Sequence, residues 1–175
     1  LHHHPPTQGQ LGRTVLRRHK KKGLLVHPVT FKNCAAGLKT KKQCAAASVF
    51  SCGYRSFAIL RNGMVFAWGL NNYGQLGVGD YENRFRPALV EGLEGCVQID
   101  GGIHHSLALT SDGSVFGFGR GDSGQIALAS GPRPGITLPT RIPSVAATAG
   151  SVVSIGCGTN HSLALSRSGK LFVWG

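Results

Sequence analysis

Acidic residues are scarce in this 175-residue chain: 7 Asp and Glu stand against 19 Lys and Arg, for a formal charge of +12. That balance excludes an acidic disordered tail or a halophile-type surface. No run of about 18 apolar residues occurs, so a helical membrane span is not expected, and the basic N-terminal part lacks the apolar core of a signal peptide. Cysteine occurs five times (Cys34, Cys44, Cys52, Cys96, Cys157), an odd number with no C-x-x-C pair. A disulfide scaffold or zinc site is therefore not expected, and buried thiols in a reducing compartment, cytoplasm or nucleus, are.

Glycine, in contrast, is abundant: 26 of 175 residues, about twice the usual share. The two excesses lie in different places. Residues 1–50 hold ten basic and no acidic residues with 4 glycines, and the other 125 residues hold nine basic, seven acidic and 22 glycines.

The glycine-rich part repeats. Gly53-Tyr54-Arg55-Ser56-Phe57-Ala58-Ile59 is followed by Asn62-Gly63-Met64-Val65-Phe66-Ala67-Trp68-Gly69 and by Asn72-Tyr73-Gly74-Gln75-Leu76-Gly77. A second copy reads Gly102-Ile103-His104-His105-Ser106-Leu107-Ala108-Leu109, then Asp112-Gly113-Ser114-Val115-Phe116-Gly117-Phe118-Gly119, then Ser123-Gly124-Gln125-Ile126. A third runs from Gly158-Thr159-Asn160-His161-Ser162 to Trp174-Gly175, and Gln8-Gly9-Gln10-Leu11-Gly12 matches the tail of a preceding copy. Ser56, Ser106 and Ser162 set offsets of 50 and 56 residues.

Each copy has the pattern of a hairpin: two short apolar β-prone runs joined by Asn62-Gly63, Asp112-Gly113 or Ser168-Gly169, which are expected to supply the positive φ of a tight turn. Another short strand precedes each hairpin, as Val97-Gln98-Ile99 or Val152-Val153-Ser154-Ile155. Pro87 and Pro139, with Pro28 in the matching place upstream, mark an outer edge strand, because proline cannot donate to a ladder. Four short strands per unit of about fifty residues predict an all-β propeller of four-stranded blades. The expected divisions are 1–12 as the tail of a preceding repeat, 13–48 as a blade segment with two basic loops, 49–98 and 99–154 as full repeats, and 155–175 as the start of another. A chain that starts on Leu1 and stops at Gly175 inside the pattern is expected to be part of a longer protein, with an unpaired blade face at each end.

The motif Gly-x-x-His-Ser-x-Ala-Leu, x-x-x-Gly-x-Val-Phe-x-Trp-Gly, x-x-x-x-Gly-Gln-Leu-Gly resembles the repeat of the regulator of chromosome condensation family. The match is dense over residues 49–175. It implies a seven-bladed propeller, of which three to four blades are represented here. It further implies the role of the family's founding member, guanine-nucleotide exchange on the small GTPase Ran.

Repetition within the chain sorts structural from functional positions. A residue type that recurs at one slot in each blade serves the fold. Arg55, His105 and His161 share one slot and Ser56, Ser106 and Ser162 the next, so these are expected to satisfy backbone atoms where the strands begin. The slot before them varies, holding Tyr54, His104 and Asn160, and is the expected binding rim. The segment from Gly101 to Ser106 resembles the family stretch that supplies a histidine to the GTPase-facing side, and by position the match is His104. The acidic companion and wedge hairpin of the family belong to blades outside this sequence. No covalent catalytic constellation, cofactor, metal or small-molecule substrate is expected. His104 and His105 are neighbours on a strand and face opposite ways.

Two basic clusters stand out: Arg17, Arg18, Lys20, Lys21 and Lys22, then Lys39, Lys41 and Lys42. The stretch 24–29 between them reads as an edge strand, which places the clusters in two loops. Fixed basic loops point to contact with phosphate backbone or acidic protein. The resemblance sharpens this to a nucleosome, its histone acidic patch and its DNA backbone, in the nucleus. The first loop is shorter and richer in Lys than the family's, and Arg17 and Arg18 are the expected histone anchors because only Arg offers a bidentate fork. No aromatic residue interleaves with the clusters, which argues against stacking on single-stranded bases. The leading expectation is thus a chromatin-docked exchange factor for Ran. The alternative is a propeller used as an interaction module in a larger protein, such as a ubiquitin ligase or ciliary scaffold.

Overall fold

The computed structural model describes residues 28–31, 44–128 and 135–175. The repeat folds into successive antiparallel sheets. The first consists of β1 (Ala46–Cys52), β2 (Arg55–Leu60), β3 (Val65–Gly69) and β4 (Arg84–Val90), hydrogen-bonded in that order. The second consists of β5 (Cys96–Gly101), β6 (His105–Thr110), β7 (Val115–Arg120) and β8 (Gly135–Arg141). A helix, α1 (Pro143–Ala149), leads to the third sheet, built of β9 (Val152–Cys157), β10 (Ser162–Ser166) and β11 (Leu171–Trp174). These are propeller blades. The first strand of each sheet packs against the first strand of the next, β5 against both β1 and β9, while β4 and β8 end their sheets on the outside. Pro87 and Pro139 lie on these outer strands. Pro28 and Val29, the end of the edge strand expected over 24–29, lie in irregular chain, and the rest of that stretch is outside the described residues.

The middle strands are buried on both faces, which is why they read as continuous apolar runs rather than as alternation. Phe57, Ile59, Val65 and Ala67 pack against Cys96, Ile99, Ala108 and Phe118 of the second blade. Leu107, Leu109 and Val115 repeat the arrangement against Val152, Ile155 and Ala164 of the third. The rings of Phe57 and Phe118 meet edge to face, 6.2 Å apart. At the two ends this packing stops. Val49 is 73% exposed although Ile99, in the same slot one blade on, is 2% exposed. Leu171 is 62% exposed although Val115, one blade back, is 2% exposed. The expectation of an unpaired blade face at each end thus agrees with these side chains.

Three features differ from the sequence reading. The repeat limits at 98/99 and 154/155 fall inside β5 and β9, so the repeat and the sheet are out of phase. The interval of 56 rather than 50 residues comes mainly from α1, which the strand pattern did not suggest. Seven residues are too few to show a helical period, and Ile142 and Val145 bury it against the second core. Finally, the hairpin turns are four-residue connections in which only the glycine has positive φ: +82° at Gly63, +84° at Gly113 and +83° at Gly169. Asn62 and Asp112 act through their side chains instead, each accepting a hydrogen bond from the backbone N–H two residues on, 3.1 Å to Met64 and 3.0 Å to Ser114.

Candidate functional site

The β1–β2, β5–β6 and β9–β10 turns line one rim of the propeller. They touch directly: Ile103 N–H donates to the Thr159 carbonyl at 3.2 Å. A Cβ on Gly102 would come within 2.4 Å of the Gly158 and Thr159 carbonyl oxygens, so glycine is required at this position. β3 and β7 run back to the same rim, bringing residues 70–83 and 121–128 there.

Just below the rim the repeated polar slots join the blades. Ser106 Oγ donates to the Gln75 carbonyl at 2.7 Å and accepts from Arg55 Nε at 3.0 Å. One blade on, Ser162 Oγ donates to the Gln125 carbonyl at 2.7 Å and lies 3.0 Å from His105 Nε2. Ser162 has spent its only proton on Gln125, so His105 is the donor in that pair and carries its proton on Nε2. Each serine is thus gripped by the His and Gln slots of the blade before it. Arg55, in the His slot, reaches further and also donates to the carbonyls of Gly102 (3.1 Å), Ile103 (3.0 Å) and His105. Arg55, His105, Ser106 and Ser162 are buried, as structural groups should be, and burial together with the Arg55 charge pushes the His105 pKa down to about 4. His161, in the same slot of the third sheet, is exposed.

The variable slot behaves differently. Tyr54 is 56% exposed and Asn160 is exposed, while His104 is half-buried, all three on the shared rim. His104 lies against Tyr73 of the preceding blade, ring centroids 4.7 Å apart. The guanidinium of Arg120 sits 5.3 Å from the Tyr73 ring centroid and pairs with Asp122 at 2.8 Å. Burial first, then the charges of Arg120 and Arg55, hold the His104 pKa below the usual imidazole value. Exposed Ile103 adds an apolar contact beside these groups. A mixed surface of Tyr, His, Ile and Arg is suited to binding a protein surface.

Tyr73, Arg120, Asp122 and Ile103 were not among the sequence candidates. The signal that finds them is non-repetition: Tyr73 faces Ser123 and Arg120 faces Leu70 in the copy alignment. Arg17, Arg18, Lys20, Lys21, Lys22, Lys39, Lys41 and Lys42 lie outside the described residues, as does Cys34. Cys52, Cys96 and Cys157 are free thiols. Burial pushes Cys96 and Cys157 up to about 12, which suppresses thiolate chemistry. Among the described residues no three His, Cys, Asp or Glu side chains gather in a way that could hold a metal.

The regulator of chromosome condensation (RCC1) repeat model matches residues 62–109 and 112–165, and a second model of the same repeat matches 48–75 and 96–125. Protein pim1 of Schizosaccharomyces pombe is 36% identical over 96% of this chain and 32% of its own length. The human E3 ubiquitin-protein ligase HERC2 is 36% identical over 70% of this chain and 2% of its own. The crystal structure of Prp20p from Saccharomyces cerevisiae, described with its binding properties to Gsp1p and histones, superposes with a TM-score of 0.68 at 25% identity, covering 75% of this chain and 33% of that one. The chain spans about a third of pim1 and a small part of HERC2.

Proposed function

Because this chain belongs to the regulator of chromosome condensation family, we propose that it is part of a guanine-nucleotide exchange factor for a Ran-type small GTPase, and that the His104 rim is the GTPase-facing surface. One observation carries the reading. The slot that does not repeat, Tyr54, His104 and Asn160, lies on one rim, above a repeated polar layer that already accounts for the fold. Similarity to pim1 across nearly the whole chain supports it, as does that to Prp20p, whose binding to Gsp1p and histones is described. The work asked of the site is differential affinity. A surface that holds the nucleotide-free GTPase more tightly than the loaded form speeds release with no covalent bond made or broken. His104 supplies a contact of that kind, flanked by Tyr54 and Asn160.

In the intact protein, His104→Ala should slow nucleotide release from Ran and leave the thermal midpoint nearly unchanged. An unchanged release rate refutes the assignment.

Chromatin docking is the second part of the proposal, and it belongs to the basic segments: Arg17 and Arg18 toward the histone acidic patch, Lys20, Lys21 and Lys22 beside them, and Lys39, Lys41 and Lys42 toward DNA phosphates, in the nucleus. The concentration of charge at +10 in the first 50 residues supports this. With roughly two to four phosphates neutralised, the slope of log K against log salt for nucleosome binding is about −2 to −4, and a flat response removes the docking reading. The similarity to HERC2 favours a second reading, an interaction blade set within a larger ligase. Under that reading Ran nucleotide release is indifferent to the intact protein itself, not merely to His104.

A further inference from the structure

His104 is held by groups that the repeat does not supply. Tyr73 comes from the loop of the preceding blade, and its ring contacts both the His104 imidazole and the Arg120 guanidinium. Asp122 orients Arg120 through Nε at 2.8 Å and Nη2 at 2.8 Å. At the next blade the Tyr73 slot is Ser123, so the exposed Asn160 has no aromatic ring in the matching place.

The two ring nitrogens of His104 differ. Nδ1 is enclosed and without a hydrogen-bond partner, whereas Nε2 is neither enclosed nor bonded within the chain. The charged and titratable groups around the ring are Arg120 and its partner Asp122 from the end of β7, Arg55 from β2, Tyr73 from the β3–β4 loop, and His105 next in sequence. The Arg120 and Arg55 charges act on the ring as a whole and disfavour its cation. An enclosed nitrogen without a partner is better left as a lone pair than as an N–H, because an orphaned buried donor is the rarer case in folded proteins.

We propose that Tyr73 and Arg120 are positioning residues that fix His104 as a neutral ring with its proton on Nε2, so that the rim offers the GTPase one N–H donor and selects an acceptor oxygen on it. The inference rests on the functional reading above and deepens it: the partner group is a carbonyl or carboxylate oxygen, not a cation or an apolar side chain. Burial and the two Arg charges also resist conversion of the ring to the doubly donating cation, so this contact holds its form through the neutral range.

The test uses the intact protein. Glutamine places an amide N–H where Nε2–H sits, and asparagine places one where Nδ1 sits. His104→Gln restores GTPase binding lost in His104→Ala, to within about threefold, whereas His104→Asn remains weaker by about tenfold. Long-range nitrogen–proton NMR of the free protein finds the Nε2–H tautomer, and Tyr73→Leu or Arg120→Gln populates the Nδ1–H form without moving the thermal midpoint. An Nδ1–H tautomer in the unsubstituted protein, or equal losses in the Gln and Asn variants, overturns the proposal. The tautomer is read without any partner, so it judges the ring assignment even if His104→Ala leaves binding intact, an outcome that would instead overturn the functional reading.

Discussion

Mild acid loosens the junction between the second and third blades through His105, before the carboxylates with lowered pKa values titrate. The ring is fully buried, donates from Nε2 to Ser162 Oγ at 3.0 Å, and has its other nitrogen enclosed without a partner. Burial first, then the Arg55 charge, lowers its pKa from 6.5 to about 4. The sign follows from the unfolded chain, which takes up the proton first. The stabilisation is fully present above pH 6.5 and is lost as pH falls through the window down to about 4. Each pH unit in that window costs about 1.4 kcal/mol, so the loss reaches about 2 kcal/mol at pH 5 and about 3 kcal/mol in all. Asp80, Asp112 and Asp122 are held below the usual carboxylate range and act at lower pH. His104 titrates in the same direction as His105 but is common to wild type and variant. His105→Gln keeps an N–H donor toward Ser162 and removes the titration. Urea unfolding of the intact protein, followed from pH 7.5 to 4.5, should show the variant less stable at neutral pH and the two curves converging toward pH 5. Parallel curves would refute the argument, since they would mean that the buried ring is not the group being charged.

Two further substitutions probe the blade junctions. Ser106→Ala leaves the buried Arg55 Nε–H and the Gln75 carbonyl without their partner; the expected cost is roughly 1–3 kcal/mol in unfolding free energy, against less than about 0.5 kcal/mol for the exposed Ser111→Ala. Gly102→Ala drives a methyl into the Gly158 and Thr159 carbonyls and pushes the neighbouring turns apart. Hydrogen exchange at the Ile103 amide, which donates to Thr159, should speed up by about tenfold or more, for a cost of roughly 1–3 kcal/mol; unchanged protection would show that the turns do not support one another.

The strands, their hairpins and the outer edges marked by Pro87 and Pro139 were legible because they rest on local chemistry: apolar runs, turn glycines and the missing proton of proline. The turns were read correctly in place and wrongly in detail, since Asn62 contributes its side-chain oxygen rather than a left-handed backbone. The helix α1 escaped because seven small residues carry no period. The polar slots could be recognised as structural by repetition. Their partners could not, because Ser106 is 51 residues from Arg55 and 31 from Gln75.

From the sequence alone came the repeat, the propeller it implies and the slot at which to look for a binding rim, since each copy states the same short-range preferences. His104 and His105 show what remained. They are adjacent and chemically identical; the repeat sorts them into a recurring and a varying slot, but no pattern along the chain names the groups that each ring touches. Tertiary structure decided it by bringing Ser162 of the following blade to one ring and Tyr73 of the preceding blade to the other, because burial and hydrogen bonding belong to the space between blades and not to either blade by itself.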